Sequence, residues 1–183
     1  MTADRPISRL PIPPQAEQHP ILVEMFSRMR AAGRRILNIH RVAGLAPKLL
    51  RAQATYAAAM REQASLSRAL QELLILRVAQ INGSEYEQSV HRGVARSLGL
   101  AAEQIQALPV WRDSTLFDAR QRAGLAYIEQ AAAGGEVDDT VFAATQAEFS
   151  AQEIVELTAL VAWYVGNSRF VRALQITPEA EQA

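Results

Sequence analysis

The apolar residues in the first half of the chain recur at helical spacing in three segments. "ILVEMFSRMRAAG" carries apolar side chains on one helical face and stops at Gly33. "APKLLRAQATYAAAMRE" begins with Pro47 in the first turn, where a missing N–H costs nothing. "SRALQELLILRVAQI" is apolar on almost every side, which predicts a central, buried helix that ends at Asn82-Gly83.

Four further helices are predicted after residue 83, because four residues of the types that cap helix N-termini precede apolar periodic segments. Ser84 is followed by Glu87, and Ser150 by Glu153, at the spacing of a capping box. No segment alternates convincingly between apolar and polar residues with period two. The sequence therefore predicts an all-α fold. The four expected caps are Ser84, Asp118, Asp138 and Ser150.

The N-terminal segment has a different composition. The first twenty residues, "MTADRPISRLPIPPQAEQHP", contain five prolines, which disfavour helix and sheet alike. We expect an extended arm without regular structure over residues 1–20 that is either free or wrapped around a neighbouring subunit. Residues 21–183 are expected to form a single helical domain, a size that allows one substantial core.

Composition and charge narrow the classes of partner. The formal net charge is zero, which argues against a nucleic-acid partner and against docking on anionic lipid. The apolar stretch "IVELTALVAWYVG" is too short for a membrane span and contains Glu156. The N-terminus lacks the apolar core of a signal peptide, so we expect a cytoplasmic protein. There is no cysteine, which excludes disulfides, thiolate metal sites and thiol-based peroxidase chemistry.

The stretch "NGSEYEQSVH" places three polar residues on one helical face. Ser84, Glu87 and His91 fall at i, i+3 and i+7. In one interpretation, the first two form a capping box and the histidine has no chemical role. In the other, the carboxylate and the imidazole meet across one helical turn, and an imidazole with an ordinary pKa near 6.5 exchanges protons near neutral pH. The spacing alone leaves both interpretations open.

Glu72 is the third candidate, because it lies in the helix predicted to be buried. It is either paired with Arg68 four residues earlier, or buried where an unpartnered carboxylate is costly. With Glu87 and His91 it supplies one histidine and two carboxylates, a pattern of low specificity for a divalent ion. We therefore predict no metal and no cofactor.

The segment "RALQELLILRVAQINGSEYEQSVHRGVARSLGL" resembles the core of the carboxymuconolactone decarboxylase family, which includes the alkylhydroperoxidase D-like proteins. The family pattern is a glutamate, eleven residues, a cysteine, two residues, a cysteine, three residues and a histidine. Glu72 and His91 stand at the glutamate and histidine positions, and Ser84 and Glu87 stand at the two cysteine positions. The resemblance extends over residues 35–175.

The resemblance implies a proton relay between the positions of Glu72 and His91. Peroxidase members also use the two cysteines for redox chemistry, and a serine offers no equivalent redox couple. Decarboxylase members need neither a redox dithiol nor a cofactor. Our leading hypothesis is acid–base catalysis, by decarboxylation or isomerisation, on a small oxygenated organic molecule. Glu87 would then be an accessory acid or base.

Two residues beside this trio are expected to touch the substrate. Ser84 would do so in addition to capping its helix, and Tyr86 would line the pocket or fill the core. Whether the protein is an enzyme stays open, with a lyase favoured over a peroxidase. The rival hypotheses are a non-catalytic oligomeric binding protein and a peroxide-handling oxidoreductase, which the missing cysteines disfavour.

The family resemblance also implies an assembly. Members have an all-helical alkylhydroperoxidase D-like fold and form trimers or hexamers, with active sites near subunit contacts. In this chain the last helix carries Trp163, Tyr164 and Phe170 on an apolar segment. These aromatic residues would suit burial between subunits, or they would fill the core of the chain itself.

Overall fold

The structure is a computed structural model that describes residues 6–179, and this part of the chain is helical, with no strand. The prediction of an all-α fold is confirmed. Residues 1–5 of the predicted arm and 180–183 of the predicted domain lie outside the described residues. The α-helices of residues 6–179 are α1 (Pro20–Ala31), α2 (Asn38–Ala43), α3 (Pro47–Glu62), α4 (Arg68–Ile81), α5 (Glu85–Ser97), α6 (Ala102–Ala107), α7 (Ala119–Ala133), α8 (Asp139–Glu148) and α9 (Ala151–Ala173).

The predicted N-caps hold the starts of the later helices. Asp118 accepts a hydrogen bond from the Gln121 N–H at 2.8 Å, and Asp138 caps α8 in the same way. Ser150 and Glu153 form the full reciprocal box: Ser150 Oγ accepts from the Glu153 N–H, and the Glu153 carboxylate accepts from the Ser150 N–H. These side chains supply acceptors to N–H groups that lack a partner within the helix.

Four short elements differ from the sequence predictions, and one of them is a 3-10 helix over Leu108–Asp113 that was not predicted. The predicted arm contains a 3-10 helix, Pro14–Gln18, where we expected no regular structure. A proline at the start of this helix is compatible with it, because its N–H would have no partner there. Helices α2 and α6 were not predicted. Each has six residues, less than two turns, which is too short to show a helical period.

The described chain divides into two compact units. One contains the residues up to Ala58 together with those from Val171 onward, and the other is Ala59–Phe170. In the first unit the proline-rich segment is hydrogen-bonded to residues near the other end of the chain: Arg9 N donates to Leu174 O, and Thr177 N donates to Ile7 O, each at 3.0 Å. The predicted boundary at residue 20 stays a prediction.

Helix α4 is the centre of the second unit, as its apolar sequence predicted. Its middle residues, including Leu73, Leu74 and Ile75, have no solvent exposure, and α5 and α7 pack against it. A Cβ on Gly124 of α7 would lie only 3.3 Å from Leu74 Cδ2, so the glycine permits a close approach of α7. Burial of α4 on most sides carries two polar side chains, those of Gln71 and Glu72, into the interior.

The aromatic residues of α9 differ in burial. Tyr164 is 2% exposed and belongs to the core of the second unit, whereas Trp163 and Phe170 are half-buried. Within residues 6–179, no helix combines the length and the apolar character that crossing a bilayer requires.

Candidate active site

A tight turn brings the predicted site residues of α4 and α5 together. Gly83, between the two helices, has φ +59°, a left-handed conformation that glycine adopts without steric cost. Ser84 follows as the N-cap of α5, and its N–H donates to Ala79 O of α4 at 2.9 Å. The chain therefore reverses direction at once, and the face of α5 that carries Glu87 and His91 packs on α4.

His91 lies between two carboxylates from different helices. Its Nδ1 is 2.6 Å from Glu72 Oε2, and its Nε2 is 3.3 Å from Glu87 Oε2. Glu72 has no solvent exposure, Glu87 is 3% exposed and His91 is 5% exposed. The three predicted residues therefore form one buried cluster in which both ring nitrogens face a carboxylate oxygen.

Both interpretations of Glu72 hold at the same time. One of its oxygens, Oε1, accepts a hydrogen bond from Arg68 Nη2 at 3.0 Å, which is the i,i+4 ion pair expected from the sequence. The other oxygen, Oε2, contacts Nδ1 of the His91 imidazole. A fully buried carboxylate is stabilised by this double partnership, since each oxygen has a polar partner at hydrogen-bond distance.

The capping box at the start of α5 forms only by half. Ser84 Oγ accepts from the Glu87 N–H at 3.4 Å, as in a box. The reciprocal bond would need the Ser84 N–H, but that group is bonded to Ala79 O. The Glu87 side chain instead turns toward His91. In the capping-box interpretation, the part in which Glu87 satisfies a free N–H therefore does not hold.

One oxygen of Glu87 stands apart from the rest of the cluster. Glu87 Oε1, which we call the open oxygen, is buried and accepts no hydrogen bond from any group within residues 6–179. A buried acceptor without a donor costs about 1–3 kcal/mol. Such groups are rare in folded proteins, and a bound water, a ligand or a reacting group can supply the missing donor. The open oxygen therefore makes Glu87 the candidate acid or base of this cluster.

The surroundings of His91 favour its protonated form. Burial by itself lowers the pKa of His91, because it removes water from the imidazolium. The hydrogen bonds to Glu72 and Glu87 and the negative charges of both carboxylates outweigh burial and raise the pKa of His91 above the ordinary 6.5. The imidazole therefore holds its proton to a higher pH than a free imidazole, in an environment without bulk water.

The raised pKa predicts how stability depends on pH. A group whose pKa is raised by folding contributes stability that is complete below the unfolded pKa, about 6.5, and is lost as the pH rises through the folded pKa. We expect the free energy of unfolding of the wild type, relative to His91→Gln, to fall above about pH 6.5 by at most about 1.4 kcal/mol per pH unit. Urea unfolding of both proteins over this range measures it. A difference that is flat or grows with pH would show that His91 is neutral when folded.

Tyr164 was not predicted to belong to the site. Its ring meets the His91 ring edge to face, with centroids 5.0 Å apart and an interplanar angle of 87°. Burial raises the pKa of the Tyr164 phenol, so the phenol stays neutral and does not act as a base. The only sequence signal was an apolar helix with an aromatic residue, which is equally typical of a core. Tyr86 is buried beside Glu87, and its contact with substrate stays a prediction.

The arrangement does not suit a shared metal ion. Glu72 and Glu87 face opposite nitrogens of the His91 ring, so the three side chains do not converge on one point. Nor do the residues from 6 to 179 contain another group of three acidic, histidine or cysteine side chains with suitable geometry. The same positions do suit a chain of proton-accepting and proton-donating groups.

Comparison with known proteins agrees with the resemblance of the core sequence. Residues 47–130 match the model of the carboxymuconolactone decarboxylase family. The uncharacterised protein YnjA of Escherichia coli (strain K12) is 31% identical over 118 residues, which are 63% of this chain and 64% of YnjA. The chain thus spans just under two thirds of the length of that relative.

Two solved structures show the fold. The alkylhydroperoxidase AhpD core of an uncharacterised peroxidase-related protein from Ralstonia eutropha JMP134 has a TM-score of 0.84 and 20% identity, covering 96% of this chain and 94% of the other. A variant of the debrominase Bmp8 in complex with 2,3,4-tribromopyrrole has a TM-score of 0.76 and 16% identity, covering 95% and 91%. Residues 47–130 of the chain are therefore similar to the carboxymuconolactone decarboxylase family, and the chain, which contains no cysteine, has the alkylhydroperoxidase D-like fold.

Proposed function

We propose that the buried cluster catalyses proton transfer without a cofactor, by decarboxylation or isomerisation of a small oxygenated organic molecule. The observation that carries this proposal is the open oxygen of Glu87, which ends a hydrogen-bonded series of ionisable groups. An acid or base needs one oxygen free for the substrate and a second group that resupplies or removes the proton. Glu87 meets both requirements.

Each of the three residues has a distinct role. Glu87 is the group that touches the substrate and gives or takes the proton. His91 exchanges a proton with Glu87 through Nε2, and its raised pKa suits this exchange near neutral pH. Glu72 accepts the hydrogen bond from Nδ1 and holds the ring in place. The sequence had suggested Glu72 and His91 as the working pair with Glu87 as an accessory, and the open oxygen moves Glu87 to the centre.

The two reactions balance without an added reactant. In an isomerisation, the Glu87 carboxylate takes a proton from a carbon next to a carbonyl, the C–H electron pair moves into the enolate, and Glu87 returns the proton to a different carbon. In a decarboxylation, the C–C bond breaks and its electron pair stays on the substrate as an enolate while carbon dioxide leaves. The Glu87 acid then protonates that carbon, and a proton from solvent reaches Glu87 again through His91.

A peroxidase function has less support. The chain contains no cysteine, and none of its other side chains in this cluster offers the thiol redox couple. The structural relative named as a peroxidase-related protein is 20% identical and supports the fold alone. The Bmp8 complex shows a small ring compound bound to a protein of this fold, which agrees with a small-molecule substrate. Trimeric or hexameric assembly and a cytoplasmic location are part of the proposal.

Deuterium incorporation tests the proposed function. We expect the wild-type protein in D₂O to label or decarboxylate at least one member of a panel of β-keto acids and unsaturated lactones, followed by ¹H NMR. Glu87→Gln should lose this activity, because the amide cannot carry the proton. Glu153→Gln is the matched control, since Glu153 occupies a full capping box away from the cluster.

Other outcomes would contradict the proposal. Unchanged labelling by Glu87→Gln would exclude Glu87 as the acid or base. Binding of panel compounds, seen as line broadening, without any labelling would favour the non-catalytic binding protein. Substantial thiol-dependent peroxide turnover would instead support the oxidoreductase hypothesis and would overturn the exclusion based on cysteine.

A further inference from the structure

We propose that Arg68 and Gln71 are positioning residues that fix which nitrogen of His91 carries its permanent proton. In this arrangement Nδ1–H points to Glu72, and Nε2 is left to exchange the mobile proton with Glu87. The significance of this for turnover rests on the proposed function. The arrangement itself is a property of the folded protein and can be measured without a substrate.

Arg68 is held in a fixed orientation from the backbone outward. Gln71 has no solvent exposure, and its Nε2 donates to Leu66 O at 2.9 Å. Its Oε1 accepts from Arg68 Nη1 at 3.0 Å, while Arg68 Nη2 donates to Glu72 Oε1 at 3.0 Å. The two arms of the guanidinium are therefore bonded to different partners on the same helix. This planar fork leaves little freedom to the Arg68 side chain or to the carboxylate beyond it.

The bond to Arg68 makes Glu72 an acceptor at both oxygens. A guanidinium stays charged in proteins and donates only, so Glu72 Oε1 is an acceptor toward Arg68. This charge-assisted bond to a fixed cation favours an acceptor role for Oε2 as well. The hydrogen in the 2.6 Å contact between Glu72 Oε2 and His91 Nδ1 therefore belongs to the ring.

Glu87 lacks the support that Glu72 has. In the described part of the chain, its one ionic partner is the imidazole, at Nε2, and its other oxygen is the open oxygen. The charged groups around His91 are thus Glu72 and Arg68 on α4 and Glu87 on α5. Helix α9 presents the ring of Tyr164, and the charge of Arg61 on α3 acts on that phenol. The permanent cation lies on the Glu72 side, so the mobile proton is shared on the Glu87 side.

Imidazole ¹⁵N NMR of histidine-labelled protein tests this assignment. The chain has three histidines, and His91→Gln identifies the signals of His91. We expect neutral His91 in the wild type to be mainly the Nδ1–H tautomer. In Arg68→Met, Glu72 loses its cation and competes for a proton, so the major tautomer should become Nε2–H. Arg68→Lys, which keeps a charge on this side, should restore Nδ1–H. Arg92→Met is the matched control, because Arg92 is exposed on α5, and it should leave the tautomer unchanged.

Several results would overturn the inference: a wild type that is mainly Nε2–H, an Arg68→Met variant with the wild-type tautomer, or an equal change in Arg92→Met. If Arg68→Met does not fold, Gln71→Met carries the test, because it frees Arg68 Nη1 without changing any charge. It should lower the Nδ1–H fraction, and an unchanged fraction would count against the proposal. A wild-type Nδ1–H tautomer in a protein that turns over no substrate would retain the inference and contradict the proposed function.

Discussion

His91→Ala is expected to lower the turnover of any substrate that the wild-type protein labels or decarboxylates by about 100- to 10,000-fold, the usual contribution of general acid–base catalysis. The imidazole is the group that exchanges protons with Glu87, at 3.3 Å from its Oε2. Without it, a Glu87 that has given its proton to the substrate lies in a buried site with no neighbouring group to reprotonate it. Steady-state kcat and kcat/KM of the two proteins measure the loss.

The same experiment needs a control for folding. The His91 ring packs against Tyr164, so its removal leaves a space in the core. His91→Gln fills more of that space and should lose turnover to a similar extent, and circular dichroism should report helix in both variants. His40→Ala removes an imidazole from the other compact unit and should retain turnover. Retained turnover in both His91 variants would contradict the proposed role of His91.

The long helices could be predicted because their sequences carry several independent signals. In α4 the apolar run, the stop at Asn82-Gly83 and the length all favour one buried helix. In α5 the cap, the polar face and the end near Gly99 agree in the same way. The spacing of Glu72, Glu87 and His91 then follows from the two helices and the turn, which is why the sequence predicted that they would meet.

The direction of the Glu87 side chain was not predicted. A capping box and a contact with His91 need the same helix and the same residue, and they differ only in a side-chain rotamer. The choice is made by the end of α4, where Ser84 N–H donates to Ala79 O and Gly83 N–H donates to Gln80 O, so Ser84 N–H has no use for the Glu87 carboxylate. At Ser150 the equivalent N–H is available and the full box forms. The local difference is the glycine directly before Ser84, which ends α4 in this way and has no counterpart before Ser150.

The contact between Tyr164 and His91 could not be predicted from the sequence, for another reason. It lies 73 positions after His91 in the chain, and its contact depends on how α9 packs in the second unit. A tyrosine on an apolar helix is typical of cores, interfaces and pockets alike. Spacing arguments identify neighbours on one helix or across a short turn, and they carry no information on pairs this distant.

The cluster is a case in which function and stability need not favour the same residues. Replacing a buried ionic group by a well-packed apolar one is often neutral or stabilising, whereas removing one member alone leaves the others without partners. Glu72 is bonded to both Arg68 and His91, so it is the member whose loss affects most of the others. It is therefore the residue whose replacement should be most damaging to the fold.

Glu72→Leu is expected to lower the free energy of unfolding by about 3 kcal/mol at neutral pH, the lower end of the range for breaking a buried ion pair. The loss falls at the lower end because the Arg68 side chain is 36% exposed and can regain water, and because burial then favours neutral His91. Urea unfolding measures it. Glu72→Gln retains one acceptor and should lose less than Glu72→Leu. A Glu72→Leu variant as stable as the wild type would show that the ionic cluster does not stabilise the fold. The presence of the cluster would then have to be explained by its chemistry alone.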